Sequence, residues 1–235
     1  MTTPEILKQL EAYGSEQTRK IFNSHGASEN RYGVKVADLK KIVKQVKKNH
    51  QLALELYDTG NADAMYLAGL IADEKQMTKA DLQRWAEQAS WYMISEYTVA
   101  WVAAESAHGL ELALEWIESD QEKIACAGWS TLSGLLALTP DDKLDLPQVE
   151  QLMERVKNTI SSAPNRVRYT MNNFIIAVGC WVVPLTPKAK EIALAIGPVA
   201  VEMGGTACKV PLASEYIQKA EDKGRTGKKK KTVRC

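Results

Sequence analysis

The side chains best suited to recognition chemistry lie in the stretch 165–181, which reads NRVRYTMNNFIIAVGCW. Its apolar residues recur at the spacing of one helical face, namely Val167, Met171, Phe174, Ile175 and Val178. The rest of this predicted helix is polar: Arg166, Tyr169 and Asn173 form one strip, and Arg168 and Asn172 a second. Guanidinium, phenol and carboxamide groups form directed hydrogen bonds, and Asn is a poor helix former. The pattern predicts either a recognition surface or a buried structural network, and these residues alone leave both open.

Charge is strongly segregated along the chain, although the net charge is only +1. Segment 31–50 carries seven bases and one acid, and segment 153–190 six bases and one acid. Between them, segment 81–150 carries thirteen acids and three bases, and the tail 223–235 adds seven bases and no acid. Basic regions on both sides of an acidic middle are typical of a nucleic-acid binder that makes its contacts at the ends of the molecule. The alternative is a set of solvated helix faces.

Two groups of lysines carry the nucleic-acid prediction. Lys40 and Lys44 face outward on the helix predicted for VADLKKIVKQVKKN. The tail 225–235 is predicted by its composition to be disordered and to bind any polyanion nonspecifically through Lys228, Lys229, Lys230 and Lys231.

Composition predicts a soluble globular protein, with 45% hydrophobic and 25% charged residues. The N-terminus reads as an amphipathic helix rather than a signal peptide, and no apolar run approaches a membrane span. The four cysteines are scattered, with no CxxC or Cys/His cluster. We therefore expect a reduced cytoplasmic protein without metal or cofactor.

Helical signals recur from end to end, and no stretch reads as a paired strand. Ser15 and Thr78 are predicted helix caps, Asp81 completes a capping box, and Pro147 suits a first helical turn. Short helices in antiparallel pairs, at about 35–45 residues per pair, indicate an all-α solenoid of HEAT type. We expect one curved domain over residues 1–224, with a concave face lined by alternate helices.

Three motifs in order resemble the bacterial AlkD-type DNA alkylation repair proteins, which are HEAT-like solenoids. YGVKVADLKKIVK (Tyr32–Lys44) is similar to an early motif of that family, and SWYMISEYTVAW (Ser90–Trp101) resembles its catalytic helix. Helices predicted in Asp120–Leu138 and Val167–Cys180 fall where the next two inner helices belong. The resemblance spans about residues 5–200.

The resemblance implies excision of a cationic N3- or N7-alkylated purine from duplex DNA. Departure of a charged base leaves an oxocarbenium-like sugar, which a carboxylate stabilises. Aromatic rings attract the cationic base, and an Arg holds the phosphodiester backbone.

Carried over by position, the first catalytic aromatic falls on Tyr92 and the acid on Glu96, which share one helical face at i and i+4. Trp91 or Trp129 could add an aromatic ring. The family's backbone-binding Arg falls on Cys126 and its second Trp on Asn173, so those two functional groups are absent at those positions. Arg166 and Arg168 are then the expected backbone contacts. With Tyr169, Asn172 and Asn173 they form a predicted binding row on a DNA-facing inner helix, and Trp91 is a further expected nucleic-acid contact. The sequence predicts a DNA-binding member of the family and leaves open a glycosylase, an inactive nucleic-acid-binding module and a protein-interaction scaffold.

Overall fold

The computed structural model describes residues 1–235 and is entirely helical, as predicted. It contains thirteen α-helices: α1 (Thr3–Tyr13), α2 (Glu16–Ser24), α3 (Val36–Val46), α4 (His50–Asp58), α5 (Ala62–Ile71), α6 (Lys79–Gln88), α7 (Ala100–Glu105), α8 (Gly109–Trp116), α9 (Glu122–Leu138), α10 (Leu146–Thr159), α11 (Asn165–Trp181), α12 (Thr186–Ile196) and α13 (Ala213–Asp222). A π-helical segment, Ile94–Val99, leads into α7, and 3-10 turns occur at Asp141–Lys143 and Val183–Leu185.

The predicted helix starts are confirmed by their hydrogen bonds. The Ser15 side chain accepts the backbone N–H of Thr18 at 3.2 Å, and Thr78 forms a reciprocal capping box with Asp81. Pro147 lies in the first turn of α10, where its missing N–H costs nothing. Local side-chain chemistry is therefore enough to start these helices.

Antiparallel helix pairs stack side by side, as expected for a solenoid. An inner row consists of α5, the π segment with α7, α9 and α11, each packed against the next. An outer row of α4, α6, α8, α10 and α12 packs behind it. Two apolar clusters meet at α9, because Ile124 and Ala127 belong to the first and Cys126 and Trp129 to the second. The buried core is therefore continuous along the row.

The π segment alters the phase of the inner helix that carries Glu96. A π turn closes through i→i+5 hydrogen bonds and contains an extra residue relative to an α turn. As a result, the adjacent residues Glu96 and Tyr97 both border the inner face. Gly69 of α5 permits this close packing, since a Cβ there would lie 2.6 Å from Cγ2 of Thr98.

The motif at Tyr32 is held by one buried carboxylate. Asp63 accepts the backbone N–H groups of Tyr32, Gly33 and Val34 at 2.7, 2.9 and 2.9 Å. Gly33 adopts a φ of +78°, which other residues rarely take. The start of the motif Tyr32–Lys44 therefore has a structural role, since it anchors the entry to α3 on Asp63 of α5.

The segment 197–212, between α12 and α13, lies along α11 and reaches α2. Asn165 exchanges two hydrogen bonds with the backbone of Glu202, at 3.0 and 2.8 Å. Gly204 lies so close to Ser24 that an added Cβ would be 2.6 Å from the Ser24 carbonyl oxygen. The segment thus connects the two ends of the solenoid.

The basic tail differs from its prediction, because residues 225–235 form an extended strap with defined contacts. The Gly227 N–H donates to the Cys180 carbonyl at 2.9 Å, and the Lys230 N–H to the Ala137 carbonyl at 2.8 Å. The Val233 N–H donates to Glu105 at 2.9 Å, and the Arg234 guanidinium to the Ala72 carbonyl at 2.6 Å. This C-terminal strap therefore crosses the carboxyl ends of α11, α9, α7 and α5 in turn. Helix ends offer unpaired carbonyls and a negative dipole, which a basic segment satisfies.

Much of the sequence's charge segregation is resolved inside the molecule. Acids of the segment 81–150 pair with bases from outside it, in the pairs Glu105–Arg234, Glu111–Lys79, Glu118–Arg155, Asp141–Lys229 and Glu150–Lys188. Part of the charge pattern thus serves folding.

No single helix of the structure is long and apolar enough to cross a membrane. Helix α11 and the segment Val183–Ile196 meet that measure only when taken together, with a bend of 112° between them.

Candidate nucleic-acid interface

A buried ion pair joins Arg166, in the first turn of α11, to Glu96 of the π segment. The Arg166 Nε donates to Oε1 of Glu96 at 2.8 Å, and Nη2 donates to Oε2. The side chains are 16% and 3% exposed, so both charges are largely removed from water. Two parallel hydrogen bonds of this kind are the strongest geometry available to a guanidinium and a carboxylate.

Two tyrosine rings enclose the same guanidinium. Its central carbon lies 4.3 Å from the ring centroid of Tyr92 and 4.3 Å from that of Tyr169. The remaining Nη1 approaches the sulfur of Met203 at 3.5 Å. Arg166 thus takes part in a largely buried network of side chains, one of the two alternatives that the sequence of its helix left open, and its contact with phosphate stays a prediction.

Residues at the end of α2 hold the aromatic side of the cluster. The Tyr92 hydroxyl lies 3.2 Å from Nδ1 of His25, and the Trp91 indole N–H donates to the His25 carbonyl at 2.7 Å. Trp91 also packs against Phe22, with ring centroids 5.0 Å apart. Tyr92 and Trp91 are therefore positioned by the N-terminal helix α2, whereas Arg166 comes from α11 near the other end of the solenoid.

Burial dominates the electrostatics of the cluster. It raises the pKa of the Glu96 carboxyl to about 7, opposed by the Arg166 hydrogen bonds and charge and reinforced by the nearby Glu122 carboxylate. Burial lowers the pKa of Arg166, but the Glu96 contacts outweigh it and the net shift is upward. Burial also raises the pKa of the Cys126 thiol, which keeps it neutral.

We expect stability to depend on the protonation of Glu96. The folded protein holds a proton on this carboxyl up to about pH 7, whereas the unfolded chain releases it near 4.5. Below pH 4.5 both the folded and the unfolded state bind this proton. Between pH 4.5 and about 7 only the folded state binds it, so stability falls as the pH rises through this range. The free energy of unfolding of the wild type, relative to Glu96→Gln, should therefore fall by about 3 kcal/mol as the pH rises from 4.5 to above 7. Urea unfolding of both proteins at several pH values across this range measures the difference. If the free energies of unfolding of the two proteins change with pH in parallel, the raised pKa of Glu96 is contradicted.

Two neighbouring cavities bring the first polar strip of α11 together with the residues predicted on the Glu96 helix. Tyr92, Glu96 and Arg166 line a cavity of about 220 Å³, together with Trp91 and Cys126. A second cavity on the inner face, of about 520 Å³, is bordered by Glu96, Tyr169 and Asn173. The strip that contains Arg166, Tyr169 and Asn173 therefore converges with Glu96.

The second strip does not join them. Asn172 is 1% exposed, and its amide donates to the Pro211 carbonyl at 2.9 Å, so its predicted nucleic-acid contact is wrong. Arg168 contacts Asn165 at 3.4 Å and borders neither cavity. Trp129 is fully buried in the core and excluded as an inner-face aromatic.

The predicted lysines have different environments. Lys40 and Lys44 are exposed on α3 and belong to none of the ion pairs. In the strap, Lys228 and Lys231 are exposed. Lys229 pairs with Asp141 at 2.8 Å, and Lys230 lies 5.2 Å from the ring centroid of Trp181. Only some of the basic charge is thus available to a ligand.

Three contributors had no signal in the sequence analysis. His25 orients Tyr92 and Trp91, but it lies in an irregular helix end without a motif. Met203 comes from the segment 197–212, outside any periodic pattern. Glu122 accepts the backbone N–H of Arg166 at 2.6 Å and so satisfies the start of α11 from a neighbouring helix.

No group of three or more His, Cys, Asp or Glu side chains is arranged to hold a metal ion. The four cysteines are free thiols.

Helix pairs stacked in two rows are the architecture of a HEAT-like repeat protein, and the inner row of this one carries a Tyr–Arg–Glu cluster. The match of residues 6–180 to the family described as DNA alkylation repair enzyme shows that the chain belongs to that family. The resemblance inferred from the three motifs is thereby confirmed.

Relatives match along nearly the whole chain. Uncharacterized proteins of Listeria monocytogenes and Listeria innocua are each 35% identical over 229 residues, covering 95% of this chain and 99% of theirs. One solved structure is 43% identical, with a TM-score of 0.92 over 100% of both chains. It is described as a new family of proteins related to the HEAT-like repeat DNA glycosylases with affinity for branched DNA structures. The predicted HEAT-like solenoid is confirmed by this likeness.

Proposed function

We propose that this protein binds DNA and recognises its structure without excising a base. The observation that carries the proposal is the ion pair between Arg166 and Glu96, which occupies the position where the family resemblance places the catalytic acid. Base excision requires a carboxylate that can face the sugar as positive charge develops. Both oxygens of Glu96 instead accept hydrogen bonds from Arg166, inside a side chain that is 3% exposed.

The aromatic rings support the same proposal. A cationic base would be attracted to the face of Tyr92 or Tyr169, but the Arg166 guanidinium already lies against both rings. The chain's own cation thus takes the place that a charged base would need. Cys126 and Asn173 stand where the family has an arginine and a tryptophan, so neither supplies the guanidinium or the indole ring that base excision would use.

DNA as the ligand is supported by the family, by the solved relative with affinity for branched DNA, and by exposed lysines. Lys40 and Lys44 on α3 and Lys228 and Lys231 on the strap are available to phosphates. Neutralising phosphates releases counterions and makes binding depend on salt.

The test of binding compares a four-way junction with a linear duplex of the same length, measured by fluorescence anisotropy at several salt concentrations. We expect tighter binding of the junction. Lys40→Glu with Lys44→Glu should weaken both complexes and reduce the salt slope by about 1 for each phosphate that the variant no longer neutralises. Lys157→Glu, on the outer helix α10, is the matched control. Equal salt slopes for wild type and the double variant would contradict a role for α3.

A second candidate function is glycosylase activity, favoured by the aromatic cavity of about 220 Å³ beside a carboxyl of raised pKa. The proposal predicts no release of methylated purine from alkylated duplex above background, measured by chromatography of the free base. Release by the wild type that Glu96→Gln abolishes would replace our proposal with the enzymatic one.

A further inference from the structure

The larger cavity of the inner face lies between the π segment, α7, α9 and α11, and the C-terminal strap and α13 close it. Its volume is about 520 Å³, within the range of pockets that hold small organic ligands. Five aromatic side chains border it: Tyr97, Trp101, Tyr169, Trp181 and Tyr216. The cluster around Arg166 does not account for Trp101, Trp181 or Tyr216.

These aromatic residues are not simply part of the core. Tyr97, Trp101, Tyr169 and Trp181 are half-buried, and Tyr216 is exposed, whereas the tryptophans of the core are fully buried. Tyr97 and Trp101 meet edge to face, with ring centroids 5.6 Å apart, in a geometry that the π segment and α7 produce. Part of their ring surface is therefore accessible from the cavity.

Polar groups without partners in the chain border the same cavity. The Asn173 amide and the hydroxyls of Tyr97 and Tyr169 form no hydrogen bond with the protein. By contrast, the neighbouring Asn172 is bonded to Pro211. Half-buried polar groups left free at a cavity are suited to a ligand that supplies donors and acceptors.

Two cations complete the lining. Lys209 is exposed and belongs to no ion pair, and the Lys230 ammonium lies above Trp181 without an acidic partner. The one bordering acid is Glu96, whose charge is neutralised by Arg166. The cavity therefore combines stacking faces, free hydrogen-bonding groups and net positive charge.

We propose that this cavity binds one unpaired nucleotide of a DNA strand. The base stacks on Tyr97, Trp101 and Trp181. Asn173 bonds its edge, and Lys209 and Lys230 contact the flanking phosphates, the exposed Lys230 leaving the Trp181 face as it does so. Stacking of a base on an aromatic side chain contributes about 1–3 kcal/mol, and Asn is suited to the donor and acceptor pattern of a base edge. The inference rests on the proposed DNA-binding function and concerns those branched structures that carry an unpaired nucleotide at the branch point.

The test uses the full chain and a junction that carries one unpaired 2-aminopurine at its branch point, beside the same junction fully paired. Binding should quench the 2-aminopurine and be about 5- to 100-fold tighter than for the paired junction. Asn173→Ala should reduce the ratio of the two affinities, and Lys209→Ala should weaken binding to both junctions and reduce that ratio as well. Trp181→Leu should remove most of the preference. Lys157→Ala is the control for charge.

Trp181 also packs against the core, so circular dichroism must show that its variant is folded; Asn173→Ala and Lys209→Ala carry the test if it is not. Equal affinity of the wild type for both junctions would overturn the inference while leaving the proposed function intact. No binding to any junction or duplex would instead defeat the proposed function. Competition by an acidic peptide, without competition by a short oligonucleotide, would overturn the inference in favour of a peptide site.

Discussion

Replacing Arg166 with Met lowers the free energy of unfolding by about 3–5 kcal/mol at pH 8, the cost of leaving a buried charge without its partner. Glu96 is 3% exposed and forms an ion pair with Arg166 alone, so its carboxylate would lose that partner. Without the guanidinium, the pKa of Glu96 rises further above 7, because the Arg166 contacts are what oppose burial. The loss should therefore be smaller at pH 6 than at pH 8. Urea unfolding at both values measures it.

Arg168→Met is the matched control for this prediction, because Arg168 lies on the same helix but forms no ion pair. It should change stability by less than about 1 kcal/mol. The double variant Arg166→Met, Glu96→Gln should recover most of the loss, since no charge is then left buried. A single Arg166→Met variant as stable as Arg168→Met would show that the pair contributes nothing to the fold.

Replacing Arg234 with Ala lowers the free energy of unfolding by about 2–4 kcal/mol. The guanidinium is 9% exposed and lies 2.8 Å from Glu74 and 2.8 Å from Glu105. Its removal leaves the Glu105 carboxylate without a cation and leaves Glu74 with Lys48 as its remaining partner. It also leaves the Ala72 carbonyl without its donor at the end of α5. Thermal and urea unfolding measure the effect.

The control is Lys231→Ala, an exposed residue of the same strap, which should stay within about 0.5 kcal/mol of the wild type. Deletion of residues 225–235 should lower the free energy of unfolding by at least as much as Arg234→Ala does, because it also removes the ion pair between Lys229 and Asp141. Unchanged stability after the deletion would mean that the strap does not hold the inner helices together in solution.

Local patterns were sufficient for the helices. The bounds of α11 follow from its apolar spacing and from Pro164 before it, and the caps at Ser15 and Thr78 follow from single side chains. Helical phase also separated Arg166 from Arg168, although the two differ by only two positions. These features depend on residues within a few turns of each other, so a sequence contains them directly.

Partners distant in sequence were not predictable. Arg166 and Glu96 are 70 residues apart, and nothing local distinguishes a guanidinium that meets phosphate from one that meets a buried acid. The strap was interpreted by composition alone, yet its Arg234 finds Glu74 across 160 positions. A basic segment is disordered only when the fold offers it no acids and no free helix ends, which requires the tertiary structure to judge.

The C-terminal strap also changes how the molecule should fold. In an ordinary solenoid each repeat contacts only its neighbours, so terminal repeats can fray independently. Here the last residues join the ends of four inner helices and bring position 234 to positions 72 and 74. Such distant contacts add loop-closure entropy to the folding barrier and slow folding. During synthesis, the inner helices leave the ribosome before the strap that fastens them, so the repeats gain this added cooperativity only after residues 225–235 have emerged.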